Sequence, residues 1–326
     1  MFILCLLPSL TFICANAILF SYICYRCVFF APKKPPLPDG EYDIPRGEKY
    51  TEYAEQFILW SKKKREMPCL DLSVTSFDGL KLYGKYYEYR PGAAIEILFH
   101  GYRGSAERDL SVAIERCFSM GRSALLVDQR AAGASEGRVI SFGINECRDC
   151  LSWINKVIEH FGEDTEIVLG GISMGAATAT MASAEDLPPN VKYVVADCSF
   201  TTQKEIMKKI IRQMKLPAGL IYPMIRLSAR LFGRFSLEEN SPLKAVKNSK
   251  VPVIFFHGDG DDFIPHEMSQ RLFEECVSQK KLVLIPRAAH GVAYLADKKA
   301  YIEALKEFER EIAFSGAIKN GTNVNG

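Results

Sequence analysis

Apolar and polar positions along this chain alternate between short hydrophobic runs and longer amphipathic stretches. Residues 95–99, 123–128, 166–172, 191–196, 251–257 and 282–285 are aliphatic and aromatic runs of strand length. Between them, apolar positions recur at helical spacing over 105–120, 142–160, 174–184 and 265–279, and in a last helix through 313. Strands that are apolar on both faces and alternate with helices predict a mainly parallel sheet with helices on both sides. The alternation opens with a hairpin, because Asp78-Gly79 separates two strand-like runs at 72–77 and 81–89. Upstream, residues 48–67 read as an amphipathic helix with Tyr53, Phe57, Ile58 and Trp60 on its apolar side. Between Phe200 and Val251 the periodicity is helical and no strand occurs. About fifty structureless residues do not fit inside a compact domain, so 201–250 predicts a small helical cap over the sheet's C-terminal edge.

The first residues break this pattern. From 2 to 25 there is no charged side chain, and about 24 residues make a helix of roughly 36 Å, enough to span a bilayer. Ala15-Asn16-Ala17 resembles a signal-peptide cleavage site, but no basic residue precedes the apolar run and the run continues past it. The segment therefore reads as an uncleaved anchor. Arg26, Lys33 and Lys34 on its C-terminal flank place that flank, and the domain beyond it, on the cytoplasmic side. Residues 31–38 form a proline-rich, semi-rigid spacer.

Composition is that of an ordinary globular protein, 48% hydrophobic and 25% charged, and a net charge of +2 leaves no nucleic-acid footprint. The ten cysteines are spread out, four of them in the first 27 residues, which reads as free thiols. Cys147 and Cys150 form a C-x-x-C pair within a helical pattern and lack the partners of a metal site.

Chemistry concentrates where an apolar strand runs into Gly170-Gly171-Ile172-Ser173-Met174-Gly175. This is G-x-S-x-G between a strand and a small-residue helix, the setting in which a serine hydroxyl stands exposed on a strained turn. Ser173 is the candidate nucleophile, and it needs a base. There are five histidines. His100 and His257 each precede glycine at a strand end and read as packing residues; His160 closes a helix and His266 opens one. That leaves His290, in a loop after the last strand, where sites of parallel sheets assemble. The orienting acid belongs among Asp259, Asp261 and Asp262, after the strand at 251–257. That cluster lacks the twelve-residue loop and closing glutamate of a calcium site.

With four motifs in order, residues 70–313 resemble an α/β-hydrolase of the bacterial group described as serine-aminopeptidase-like or lysophospholipase-like. The motifs are His100-Gly101-Tyr102-Arg103-Gly104-Ser105, the segment from Asp128 to Gly137, the serine turn, and His257-Gly258-x-x-Asp261-x-x-Ile264-Pro265 followed by His290. The resemblance implies the α/β-hydrolase fold and selects Asp261 as the acid. It also implies an oxyanion hole formed by the backbone N–H groups of Tyr102 and Met174, each worth about 3 kcal/mol in the transition state. Ala131-Ala132 stands where relatives often have Gly-His, in a segment that supplies no catalytic group. The organisation expected is an anchor over 1–30, a linker over 31–47, an α/β-hydrolase domain over 48–314 with its cap at 201–250, and a disordered tail over 315–326.

The implied reaction is acyl transfer to water by Ser173, His290 and Asp261, with no metal or organic cofactor. The substrate is a small acyl ester, of which a lysophospholipid is one form; a peptide or amide is the alternative, and a non-catalytic, membrane-anchored binding protein is disfavoured because every catalytic position is filled. Cap residues Lys204, Lys208, Lys209, Arg212, Lys215, Arg226, Arg230 and Arg234 face one acid, Glu205, across residues 204–234. Two readings fit this: a solvated charged face, or a surface for anionic lipid or an amphiphilic ester.

Overall fold

Eight strands, β1 (Leu70–Thr75), β2 (Lys81–Tyr87), β3 (Ile95–Phe99), β4 (Ser123–Asp128), β5 (Ile167–Ile172), β6 (Val191–Asp197), β7 (Val253–Gly258) and β8 (Lys280–Ile285), form one sheet. The structure is a computed structural model that describes the backbone of residues 2–33, 38 and 40–319, and the side chains of 15–33, 38 and 40–315. Strand order is β1-β2-β4-β3-β5-β6-β7-β8. β2 runs antiparallel to β1 and β4, and the remaining pairs are parallel. Every residue of β3 and β7 is buried, as continuous apolar runs in a sheet covered on both faces require. Glu96 on β3 departs from that apolar character, and its buried carboxylate is held by Arg116 at 2.5 Å and Arg122 at 2.9 Å.

Twelve helices accompany the sheet among the described residues: α1 (Phe2–Val28), α2 (Ala54–Glu66), α3 (Ala106–Asp109), α4 (Ala113–Ser119), α5 (Ile144–Phe161), α6 (Met174–Ala182), α7 (Gln203–Gln213), α8 (Ala218–Ser228), α9 (Pro242–Val246), α10 (Glu267–Glu275), α11 (Ala293–Ala296) and α12 (Lys298–Lys319). α6 is buried along its whole length, and its glycine, alanine and threonine side chains let it lie directly on the sheet. Cys147 and Cys150 are buried free thiols on α5. Residues 201–250 are helical throughout their ordered elements, with α7, α8, a π-helical turn at Ala229–Gly233, and α9.

Three expectations need correction. The helix expected over 48–67 is a 3-10 turn at Glu48–Tyr53 followed by α2, and Ile58 faces outward at 41% exposure, because α2 buries the row of Phe57, Ser61 and Lys64 and Ile58 stands a helical step round from it. The helix expected over 105–120 is two short helices, α3 and α4, interrupted at residues 110–112. The last helix runs beyond 313 to Lys319. Among the described residues, no helix is long and apolar enough to cross a membrane. Of the anchor expected over 1–30, the side chains of residues 1–14 lie outside the described residues, as do residues 34–37 and 39 of the linker and 320–326 of the tail.

The described end of α1 packs on the cap. Phe232 meets both Tyr22 and Tyr25. Just past the helix, fully buried Phe29 sits edge-on between Phe142 and Phe235. The adjoining backbone is stitched to residues 138–140: Ala31 N–H donates to the Arg138 carbonyl at 2.9 Å, and Ile140 N–H donates to that of Phe29 at 2.8 Å.

Candidate active site

Ser173 follows β5 with φ 57° and ψ −117°, a strained conformation that turns the chain sharply into α6. Two glycines make that turn possible. A Cβ on Gly175 would stand 1.9 Å from the Phe99 carbonyl oxygen, and one on Gly171 would stand 2.2 Å from the backbone of Gly175. The serine is pinned by its own amide, which donates to the Asp197 carbonyl at 2.8 Å. Asp197 is a buried residue at the end of β6, its carboxyl pushed up to about 6 by burial, against the lowering effects of His257 and a hydrogen bond from Tyr301.

His290 and Asp261 come to the same edge from the loops after β8 and β7. His290 Nδ1 lies 2.6 Å from Asp261 Oδ2, and its Nε2 lies 3.0 Å from Ser173 Oγ. Because the carboxylate only accepts, Nδ1 carries the proton and Nε2 is left to accept from the serine hydroxyl. Asp261 Oδ1 accepts the amides of Phe263 at 2.9 Å and Ile264 at 2.8 Å. Burial opposes ionisation of Asp261, but hydrogen bonds from His257 and His290, electrostatic attraction to the His290 ring and the Ile264 amide outweigh it. They hold the carboxyl well below the usual carboxylate range.

The sequence assigned His257 to packing alone, and the structure adds a second role. Its Nε2 lies 3.2 Å from Asp261 Oδ2 and 2.9 Å from the Ile264 carbonyl, both acceptors, so Nε2–H donates while Nδ1 accepts from Ser269 at 2.7 Å. The other aspartates of the cluster point elsewhere: Asp259 accepts the Arg287 amide at 2.5 Å, and Asp262 pairs with Lys49 at 2.7 Å. His100 is buried beneath its loop, donating from Nδ1 to the Gly101 carbonyl and accepting the Gln129 amide. His160 packs edge-on to Phe161, and His266 immediately precedes α10.

Tyr102 follows β3, and Met174 is the first residue of α6. Among the described residues, no turn or loop backbone bond takes up either amide. A cleft of about 360 Å³ opens beside Ser173 and His290, with Pro45, Tyr50, Phe57, Ile172 and Phe263 among its walls. Asp109, the one carboxylate among the lining residues, accepts the Gly101 amide at 3.0 Å and Arg108 at 2.7 Å. The Tyr50 hydroxyl, pushed up to about 12 by burial and by nearby Cys198, Asp261 and Asp109, stays protonated. Pro45, Tyr50 and Phe57 were not expected here, because their segment reaches the site by long-range packing that periodicity does not encode. In the cap, Lys209 donates to the carbonyls of Asp262 at 2.6 Å and Phe263 at 2.7 Å, bracing the loop that carries Asp261.

Among the described residues, one group has the spacing to hold a metal: ligand atoms of Cys198, Asp261 and His290 lie within 4.8 Å of one another. The chemistry argues against it. Asp261 and His290 are committed to each other and to Ser173, and burial raises the Cys198 thiol well above its ordinary value, disfavouring the thiolate a metal needs.

This sheet order, with a strained serine between strand and helix, defines an α/β-hydrolase enzyme. The sequence profile of the prolyl oligopeptidase family matches residues 141–314, more than half of the chain, and the chain belongs to that family. The motifs had resembled a serine-aminopeptidase-like or lysophospholipase-like group; what the two have in common is the α/β-hydrolase superfamily. YqkD of Bacillus subtilis is 28% identical over 194 residues, covering 58% of this chain and 62% of YqkD. A Mycobacterium tuberculosis protein is 24% identical over 309 residues, covering 93% of this chain and 94% of its own. The esterase Pf2001 of Pyrococcus furiosus shares the fold, with a TM-score of 0.60 at 23% identity over 76% of this chain and 94% of that one.

Proposed function

We propose that this hydrolase cleaves carboxylic esters with Ser173 as nucleophile, His290 as general base and acid, and Asp261 as the residue that orients the imidazole. Ser173 Oγ attacks the ester carbonyl and gives its proton to His290 Nε2. The oxyanion accepts the Tyr102 and Met174 amides, and collapse expels the alcohol with the proton from His290. Water, deprotonated by His290, then adds to the acyl-enzyme and releases the acid and Ser173. The observation that carries this reading is the unbroken hydrogen-bond line, 3.0 Å from Ser173 to His290 and 2.6 Å from His290 to Asp261, ending in the cleft.

The cleft supports an ester with an apolar acyl group. Its walls are largely aromatic and aliphatic, and its carboxylate, Asp109, is occupied by Arg108 and the Gly101 amide instead of being free for a peptide's amino terminus. Membership of the prolyl oligopeptidase family favours a second reading, a peptidase or amidase on the same three residues. Acyl p-nitrophenyl esters set against aminoacyl p-nitroanilides separate the two. A fluorophosphonate probe should label the wild type and not Ser173→Ala; equal labelling of both removes Ser173 as nucleophile. We also infer that the N-terminal segment attaches the protein to a membrane. The charge-free stretch over 2–25 and outward-facing Ile18, Leu19, Phe20 and Ile23 support this. Release of the full chain from membranes by alkaline carbonate would overturn it.

A further inference from the structure

The loop that carries the Tyr102 amide is fastened to an element remote in sequence. Its start is fixed locally, by Asp109 on the Gly101 amide at 3.0 Å and by the Gly104 amide on the Gly101 carbonyl at 3.1 Å. Beyond that, its side chains reach the end of α1. The Tyr102 hydroxyl donates to the Val28 carbonyl at 2.7 Å, and its ring packs on Phe142 with centroids 4.7 Å apart. Arg103, held at φ 54°, donates from Nη2 to the carbonyls of Cys27 at 2.7 Å and Phe30 at 3.3 Å, with its guanidinium 5.3 Å from the Tyr102 ring centre.

The last carbonyls of a helix have no intrahelical partner and carry partial negative charge. At α1 they are met by a phenol and a guanidinium from the loop beside the nucleophile. The receiving segment is itself immobilised: Phe29 is fully buried between Phe142 and Phe235, and the backbone at 29 and 31 bonds to residues 138 and 140. A tether between two fixed bodies sets a position, and Tyr102 N–H is the group whose position it sets.

We propose that the side chains of Tyr102 and Arg103 are positioning residues that clamp the oxyanion loop to the last turn of α1, making that turn part of the catalytic framework. The proposal rests on the reading above, in which the Tyr102 amide receives the oxyanion. A displacement of 1 Å costs about a hundredfold in rate, so loss of one tether that leaves the ring in place is expected to cost about tenfold.

The test uses the full chain with Tyr102→Phe, Arg103→Gln and Arg103→Lys. It measures kcat and KM on p-nitrophenyl butyrate, the inhibition constant of a trifluoromethyl ketone whose adduct mimics the oxyanion, and Tm. The expected result is kcat lowered about tenfold in Tyr102→Phe and Arg103→Gln with KM unchanged, and ketone affinity lost in proportion. Arg103→Lys, which keeps a cationic nitrogen able to donate to both carbonyls, should recover most of both. If kcat stays within about twofold while Tm falls, or if KM alone rises, the clamp is structural and the proposal is overturned. Fluorophosphonate labelling of Ser173 run alongside tells the two failures apart: an unlabelled wild type overturns the esterase reading itself, whereas a labelled wild type with unaffected variants overturns only the clamp.

Discussion

Adding one methyl group at Gly175 tests how closely the serine turn is fitted. An alanine Cβ there would lie 1.9 Å from the Phe99 carbonyl oxygen, 2.4 Å from its carbon and 2.8 Å from the His100 oxygen. All three are backbone atoms, so no flexible side chain can yield. Contacts below 3.0 Å essentially do not occur, and relief demands that the start of α6 and the end of β3 separate by at least about 1 Å. Those two termini carry Met174 and, three residues past Phe99, Tyr102, the proposed oxyanion donors. Oxyanion geometry lost on that scale costs about a hundredfold in rate. Because α6 is wholly buried against the sheet, Gly175→Ala should also destabilise by about 1–3 kcal/mol, as overpacked cores do. The assay is kcat/KM on p-nitrophenyl butyrate with urea unfolding on the same samples. Folded Gly175→Ala retaining kcat/KM within about threefold of wild type would refute the argument that the two donor-bearing termini must touch.

Asp261 gives a pH signature. Its folded pKa lies below the unfolded value of about 3.9, so its stabilisation is complete above that value and is lost as pH falls toward the folded pKa. Tm should therefore drop as pH is lowered from about 5, and more steeply in wild type than in Asp261→Asn; parallel curves would contradict the assignment. Exposed Cys27 and Cys69 should react with Ellman's reagent in the folded protein, while buried Cys147, Cys150 and Cys198, with thiols raised by burial, should react only on unfolding. Arg130 donates twice to buried Asp149 at 2.7 Å. Arg130→Met should cost about 3–5 kcal/mol, and Arg130→Met with Asp149→Leu should restore part of it in chemical denaturation, because the second change removes the buried carboxyl left without its partner while Asp78 stays unpaired.

Much of the fold is legible in the sequence because a parallel sheet buried on both faces writes itself as apolar runs, and β3, β5 and β7 are such runs. Ser173 is legible for a steric reason: only glycine fits at 171 and 175, so the turn marks itself. His290 followed from elimination among five histidines, but spacing alone did not separate Asp261 from Asp259 and Asp262. The structure distinguishes them by partner, with imidazole for Asp261, a backbone amide for Asp259 and a surface lysine for Asp262. Tyr50 and Phe57 in the cleft, His257 behind Asp261, and the joint at 28–31 left no local trace. Each depends on contacts between segments far apart in the chain, whereas periodicity records only which face of an element is buried.

Of the eight non-glycine residues with positive φ among the described residues, four flank the site; the others are Ala131, Phe142, Lys215 and Arg234. Arg103, Ser173, Cys198 and Arg287 adopt positive φ without being glycine, at 54°, 57°, 48° and 59°. They follow β3, β5, β6 and β8, all at the C-terminal edge of the parallel strands. A non-glycine residue in such a conformation costs about 1–3 kcal/mol and persists only when its surroundings over-determine it. For three of the four, the constraint is a hydrogen bond from the strained residue's own amide to a neighbouring strand or loop. Ser173 donates to the Asp197 carbonyl at 2.8 Å, Cys198 to that of Phe256 at 2.9 Å, and Arg287 to the Asp259 carboxylate at 2.5 Å. Arg103 differs, since it is its guanidinium that is held, by carbonyls at the end of α1. Three corners of the edge are thus locked by the sheet and its loops, and the fourth, next to Tyr102, is locked from outside them. A perturbation of α1 should for that reason reach the proposed oxyanion side of the site before it reaches Ser173, His290 or Asp261.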